Sequence, residues 1–157
     1  MVDKNQAVID FLLTCPIVKD SYLYFNFTQA EDDTKQIITL VNEKILNKAY
    51  IDGSILKQYT FTIIDFKAVT PKPIIEDKTD ESVDNMLQVQ EIIDWVTEQS
   101  DNHNYPDFGE DCEIDDIRAL SDNPKLNGID SNVSPALAKY SVSIQIDYLD
   151  KSKMLWK

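Results

Sequence analysis

The chain has 157 residues, 43% of them hydrophobic, with 15 Lys and Arg against 28 Asp and Glu and a formal net charge of −13. This length and apolar content suit one domain over residues 1–157 with its own core. The acidic balance argues against sequence-specific DNA binding, which needs clustered Lys and Arg on phosphates, and no apolar run approaches the roughly 18 residues that span a bilayer.

The start, Met1-Val-Asp-Lys-Asn-Gln6, lacks the basic and apolar pattern of a signal peptide, so synthesis in the cytoplasm is expected. Ala7, Val8, Ile9, Phe11, Leu12 and Leu13 predict a short amphipathic helix, opened by Asp3 and ended by Pro16, which cannot donate the next intrahelical bond. Tyr22–Phe27 and Gln36–Val41 are rich in β-formers and read as an antiparallel pair joined by the acidic turn Gln29–Thr34. Asp52-Gly53 between two apolar arms predicts a two-residue hairpin with a type I′ turn. The second arm continues over Gln58–Val69, with Tyr59, Phe61 and Ile63 on one face and Thr60 and Thr62 on the other.

Pro71-Lys-Pro73 breaks that strand, and a charged connector leads to a helix capped by Thr79 or Asp80. Met86, Val89, Ile92, Ile93 and Val96 form its buried stripe, and it ends near Ser100. After an irregular Asp101–Gly109, Cys112–Leu120 reads as a strand whose Ile114 is out of phase with Ile117. A bulge or a strand start at Asp115 repairs the phase. Asn123–Gly128 reads as a turn. Tyr140, Val142, Ile144, Ile146 and Tyr148 alternate with polar residues and predict an antiparallel strand with one wet face. The expected fold class is α+β: a mostly antiparallel sheet with a β-hairpin, flanked by a short N-terminal helix and one long amphipathic helix.

Chemical motifs are sparse. With Gly53, Gly109 and Gly128 the only glycines, neither a phosphate loop nor a dinucleotide turn can be built. The single histidine, His103, excludes most zinc constellations and reads as exposed or capping. Cys15 and Cys112 lack C-x-x-C spacing and read as two buried free thiols; no cofactor is expected. Asp107-Phe-Gly109 copies three letters of a kinase motif without its companions.

The charge is unevenly spread: residues 71–130 hold 17 Asp and Glu against Lys72, Lys78, Arg118 and Lys125, and the remainder is neutral. Asp107, Glu110, Asp111, Glu113, Asp115 and Asp116 are the densest part. Their spacing does not fit an EF-hand, and mutual repulsion favours a solvated face. A second reading is a surface that repels a polyanion or docks on a basic partner. Tyr105-Pro-Asp-Phe108 is either a loop folded back on its own sheet or a contact surface. Met154-Leu-Trp156 either packs on the domain or reaches a neighbour.

Gln90-Glu-Ile-Ile-Asp-Trp-Val96, Asn104–Gly109, Leu126-Asn-Gly-Ile-Asp130 and Tyr140–Tyr148 with its short basic tail carry a likeness over less than half the chain. In these segments the chain resembles a family of minor capsid, tail terminator or tail completion proteins from tailed phages and prophages of Gram-positive bacteria. The resemblance implies an α+β subunit without enzymatic activity that forms a homohexameric ring on the last ring of the tail tube. Such a ring stops tube growth and offers a platform to the neck or head. It implies the tail tube protein, possibly the tail sheath, and the neck or connector proteins as partners. It places the chain in the virion, at the head-proximal end of the tail.

On this reading Asp52, Gly53, Tyr105, Phe108, Met154, Leu155 and Trp156 are expected to grip neighbours. The six carboxylates are expected to face a channel through which DNA passes without specific binding. Alternatives are a neck adaptor, the cap of a phage-tail-like bacteriocin, or a small metal-dependent enzyme using His103 and the acidic cluster.

Overall fold

The structure is a computed structural model and describes residues 3–26, 33–39, 44–69, 81–133 and 136–154, with the backbone alone for 44–49 and 81–82. The turn expected over 29–34 (Asp33 and Thr34 aside), the connector 71–80 with its cap, and the tail residues Leu155 and Trp156 lie outside the described residues.

Asp3 opens helix α1 (Lys4–Leu12), its Oδ1 accepting from the Asn5 amide at 2.9 Å. The helix ends at Leu12, four residues before Pro16. Pro16 instead starts the short helix α2 (Pro16–Lys19), because a missing N–H costs nothing at a first helical position. Ala7, Val8, Phe11 and Leu12 are buried, whereas Leu13 is exposed. Helix α3 (Glu81–Asp101) buries Val89, Ile92, Ile93 and Val96 as the periodicity predicts, with Met86 half-buried. Trp95 packs on Phe11 at 4.9 Å, tying α3 to α1.

Seven described strands form one sheet: β1 (Tyr22–Phe25), β2 (Thr34–Thr39), β3 (Lys44–Ala49), β4 (Ile55–Val69), β5 (Cys112–Ala119), β6 (Lys125–Asp130) and β7 (Ala136–Asp150). The fold is α+β and mostly antiparallel, as expected. Its axis is the pairing of β4 with β7 along the whole of both, from Ile55 opposite Asp150 to Val69 opposite Ala136. The outer edge of β4 carries β2 and β3, and that of β7 carries β5 and β6. At one level the sheet therefore runs β1-β2-β4-β7-β6, and at the other β3-β4-β7-β5.

Tyr59, Phe61, Ile63 and the even-numbered apolar residues of β7 share the face covered by the helices. On the opposite face Ser141 and Gln145 are buried and Ser143 and Asp147 half-buried, so this face is knitted rather than wet. Ser143 Oγ meets Thr62 Oγ1 at 2.9 Å, and Asp147 accepts from Arg118 at 2.7 Å and from Gln145 at 3.0 Å.

Three further expectations change. β1 and β2 pair in parallel, Tyr22 opposite Thr34 and Phe25 opposite Ile37. The segment expected as a turn at 123–128 becomes β6, paired with β7 from Lys125 opposite Ser141 to Asp130 opposite Leu137. Gly128, at φ 146, sits where its register shifts. The hairpin closes by a longer loop: Gly53 N donates to Tyr50 O at 3.0 Å and Tyr50 N to Ser54 O at 2.9 Å, with Ala49 opposite Ile55. Gly53 alone in this loop has positive φ, at 90°, so the turn is of type I with a glycine bulge rather than type I′. The phase break in β5 is a bulge between Ile114 and Asp116.

Candidate functional site

Three separately expected elements meet at the β3–β5 end of the sheet. The hairpin turn lies against the chain leaving β7, so closely that a Cβ on Gly53 would stand 2.2 Å from Lys153 O. Lys151 N donates to Asp111 O at 2.7 Å, and Lys151 Nζ pairs with Glu113. Hairpin, tail and acidic loop thus form one surface. Ser54 shapes its tip: its hydroxyl and amide donate to Asp52 Oδ1 at 2.6 and 3.0 Å and hold that carboxyl below the usual range. Ile51, 97% exposed, and half-exposed Tyr50 project beside it, and Met154 is half-buried.

Asp107, Glu110, Asp111, Glu113 and Asp115 are exposed. Asp107 caps its own loop, accepting from Gly109 N at 2.9 Å. Asp116 is set apart: half-buried, it accepts from Ser100 Oγ at 2.7 Å and lies 3.8 Å from Arg118. No three His, Cys, Asp or Glu side chains among the described residues converge on a metal position.

The 105–108 segment folds back on its own sheet. Phe108 is buried, edge-on to Tyr148 at 5.3 Å and to Tyr59 at 5.9 Å, which corrects the expectation that it grips a neighbour. Tyr59, one of its two ring partners, also donates to Asn5 of α1. Tyr105 is half-buried, with its hydroxyl 3.0 Å from His103 Nδ1. Burial, then the carboxylates of Asp116 and Asp115, push that hydroxyl's pKa up. His103, at φ 53, is the left-handed residue closing α3: its amide reaches Ser100 O at 3.1 Å and the next amide, of Asn104, reaches Gln99 O at 2.9 Å. It is exposed and capping.

The chain matches no protein-family model and no curated protein.

An open cleft of about 530 Å³ between α1 and the 104–107 segment is lined by Asp3, Asp10 and Asp107 together with Phe11 and Tyr105. Carboxylates there accept hydrogen bonds but donate none, so the cleft suits cationic groups. Cys15 is buried, which pushes its thiol up and leaves it unreactive; Cys112 is half-buried, and neither cysteine is in a disulfide, so the expected burial of both holds for Cys15 alone.

One cluster escaped the sequence reading. Asp65 and Lys35 are fully buried, with Lys35 Nζ 3.4 Å from Asp65 Oδ2. Lys67, nearly as buried, lies 3.9 Å from the same oxygen and 2.6 Å from half-exposed Asp33. Lys35 also donates to Ser21 Oγ at 2.5 Å. Neither Asp65 oxygen has a hydrogen-bond partner of good geometry among the described residues. Burial raises the Asp65 pKa, and Lys35 and Lys67 offset only part of that rise. The signal was available: the alternation Tyr59, Phe61, Ile63 continues to Asp65 and Lys67 on the helix-covered face.

Proposed function

We propose that this chain is a structural virion subunit: a tail terminator that assembles as a ring on the head-proximal end of a tail tube, stops its growth and presents a surface to the neck. The reading rests on the resemblance of four segments and, in the structure, on the convergence of hairpin, tail and carboxylate rim at one end of the sheet. A ring subunit needs protruding contacts beside a surface to which DNA does not adhere. Exposed Ile51 and Tyr50 next to Asp111, Glu113 and Asp115 supply both within one end of the fold. Asp52, Gly53, Tyr105 and Met154 remain in the proposed contact set. Of the proposed channel-facing carboxylates, the five exposed ones carry the argument, and Asp116 contributes less because Ser100 and Arg118 hold it.

The chain carries out no catalysis on this reading and takes no cofactor. The test is native mass of the purified protein, alone and mixed with tail-tube subunits of the parent particle, with electron microscopy of the tubes. Rings capping one end of tubes of limited length are expected. A protein that ignores the tube and copurifies with the neck ring overturns the terminator reading in favour of a neck adaptor.

A further inference from the structure

The row β1-β2-β4-β7-β6 ends in two strands that pair with no other described strand. These two edges match each other. β1 lies level with Ile63–Phe66 of β4 through β2, and β6 lies level with Ile64–Ala68 through β7. β6 runs with β4, because it is antiparallel to β7 and β7 to β4; β1 runs against β4, because it is parallel to β2 and β2 antiparallel to β4. Two copies placed side by side in one orientation thus bring β6 of one against β1 of the next as an antiparallel pair at the same height.

The side chains agree with that placement. Leu126 and Ile129, opposite Tyr140 and Ala138, lie on the helix-covered face, as do Leu23 and Phe25, opposite Lys35 and Ile37. The opposite face would join Lys125 and Asp130 to Tyr22 and Tyr24. Leu126 is 45% and Ile129 48% exposed, with Leu120 and Val133 also exposed at the flanks of β6, and Tyr22 is 73% exposed on β1. A strand at the edge of a sheet that carries exposed apolar side chains is a template for another strand.

We propose that a second copy of this chain occupies the β6 edge with its β1 strand, a head-to-tail contact that uses different surfaces on the two partners. Such a contact leaves one free β1 and one free β6 at the ends of any row, so it propagates; its closure into a ring rests on the function proposed above, whereas the edge pairing does not.

Cysteine cross-linking tests the pairing. In a Cys112→Ser background, chains carrying Tyr22→Cys, chains carrying Asp130→Cys and chains carrying both are treated with a short bismaleimide. The double variant is expected to give ladders beyond the dimer, and an equal mixture of the two single variants a dimer absent from either alone. Leu126→Lys with Ile129→Lys is expected to bring the native mass down to that of the 18.0 kDa chain, with the circular dichroism spectrum unchanged because both side chains are exposed in one copy. Dimers from a single variant as abundant as from the mixture overturn the head-to-tail edge. So does an assembled native mass, alone or with the tube, that the lysine pair leaves unchanged, or a chain monomeric both alone and with the tube. Rings on the tube without β1–β6 cross-links sink the edge pairing and keep the terminator reading; ladders from a chain that ignores the tube do the reverse.

Discussion

Replacing Lys35 by methionine removes one of two cations from a buried cluster that is neutral when Lys35, Lys67, Asp33 and Asp65 are all ionised. Lys35 stands 3.4 Å from Asp65, a separation worth about 5 kcal/mol at an effective dielectric near 20. Part of that gain offsets the cost of desolvating Lys35 itself, so the expected loss is about 3–5 kcal/mol, the range for a buried charge left without its partner. Lys67 compensates poorly, since it is 3.9 Å from Asp65 and already holds Asp33 at 2.6 Å. Replacing both Lys35 by Met and Asp65 by Leu leaves the neutral Lys67–Asp33 pair and is expected to lie within about 1 kcal/mol of the parent. In urea, with a slope of about 2 kcal/mol/M, the single variant shifts the midpoint by about 2 M and the double by under about 0.5 M. Trp95 fluorescence reports the transition through its contact with Phe11. The deficit of Lys35→Met also shrinks on acidification: the folded-state pKa of Asp65 is already raised, and protonation relieves the uncompensated charge as pH falls through it. A single variant shifted by under 0.5 M, or a double variant no better than the single, refutes a coupled buried pair.

Asp150 behaves in the opposite sense. Burial pushes its carboxyl up, but Lys57 at 2.8 Å and the Ser152 hydroxyl and amide outweigh that and hold it far below the usual range. Its stabilisation is present above the ordinary Asp pKa and is lost as pH falls toward the depressed one. Asp150→Asn should cost about 1.5 kcal/mol at pH 7 and flatten the acid limb of the stability–pH curve; an unchanged limb counts against the Lys57–Asp150–Ser152 contacts. Phe108→Ala should cost about 3–5 kcal/mol, lowering Tm by about 10 °C or more, because it empties the space between Tyr59 and Tyr148. Gly53→Ala combines a positive φ with a clash against Lys153 O and should cost about 2 kcal/mol; a loss below about 0.5 kcal/mol means the tail does not press on the hairpin. If the proposed terminator function holds, Asp111→Lys, Glu113→Lys and Asp115→Lys together should slow DNA passage while rings stay intact, and unchanged infectivity argues against a channel wall.

What the sequence made legible follows from which interactions are local. The stripe of α3, the alternation of β7 and the phase break at Asp115 are written in neighbouring residues, and the structure carries all three. The parallel pairing of β1 with β2 is not local: two adjacent β-rich segments suggest a hairpin, and only the placement of β2 on the edge of β4 decides otherwise. β6 was hidden for a related reason. Asn-Pro-Lys-Leu-Asn-Gly128 has turn composition, and it is strand because β7 extends past β5 and offers Leu137–Ser141 as a template. Tertiary pairing overrides weak local propensity at an edge.

The candidate site divides along the same line. Exposure of the carboxylates follows from their repulsion and was readable from spacing. The burial of Phe108 was not, because the ring is held by Tyr59 and Tyr148, roughly 40 to 50 positions away in either direction. The Lys35–Asp65–Lys67 cluster is the instructive miss. A period of two carried two steps beyond Ile63 puts two charges, Asp65 and Lys67, on an apolar face, a local conflict that a folded protein tolerates only with partners. Lys35 supplies one, from a strand whose pairing with β4 is not written in neighbouring residues. Asp65 and Lys67 therefore constrain topology: of the described strands, β2 alone sets a lysine opposite Asp65, so a slip of one residue would strand the carboxylate and move Ile37 off the core face. On this reasoning the cluster fixes the register of the β2–β4 edge, and through β2 the position of β1, the strand proposed to meet the next copy.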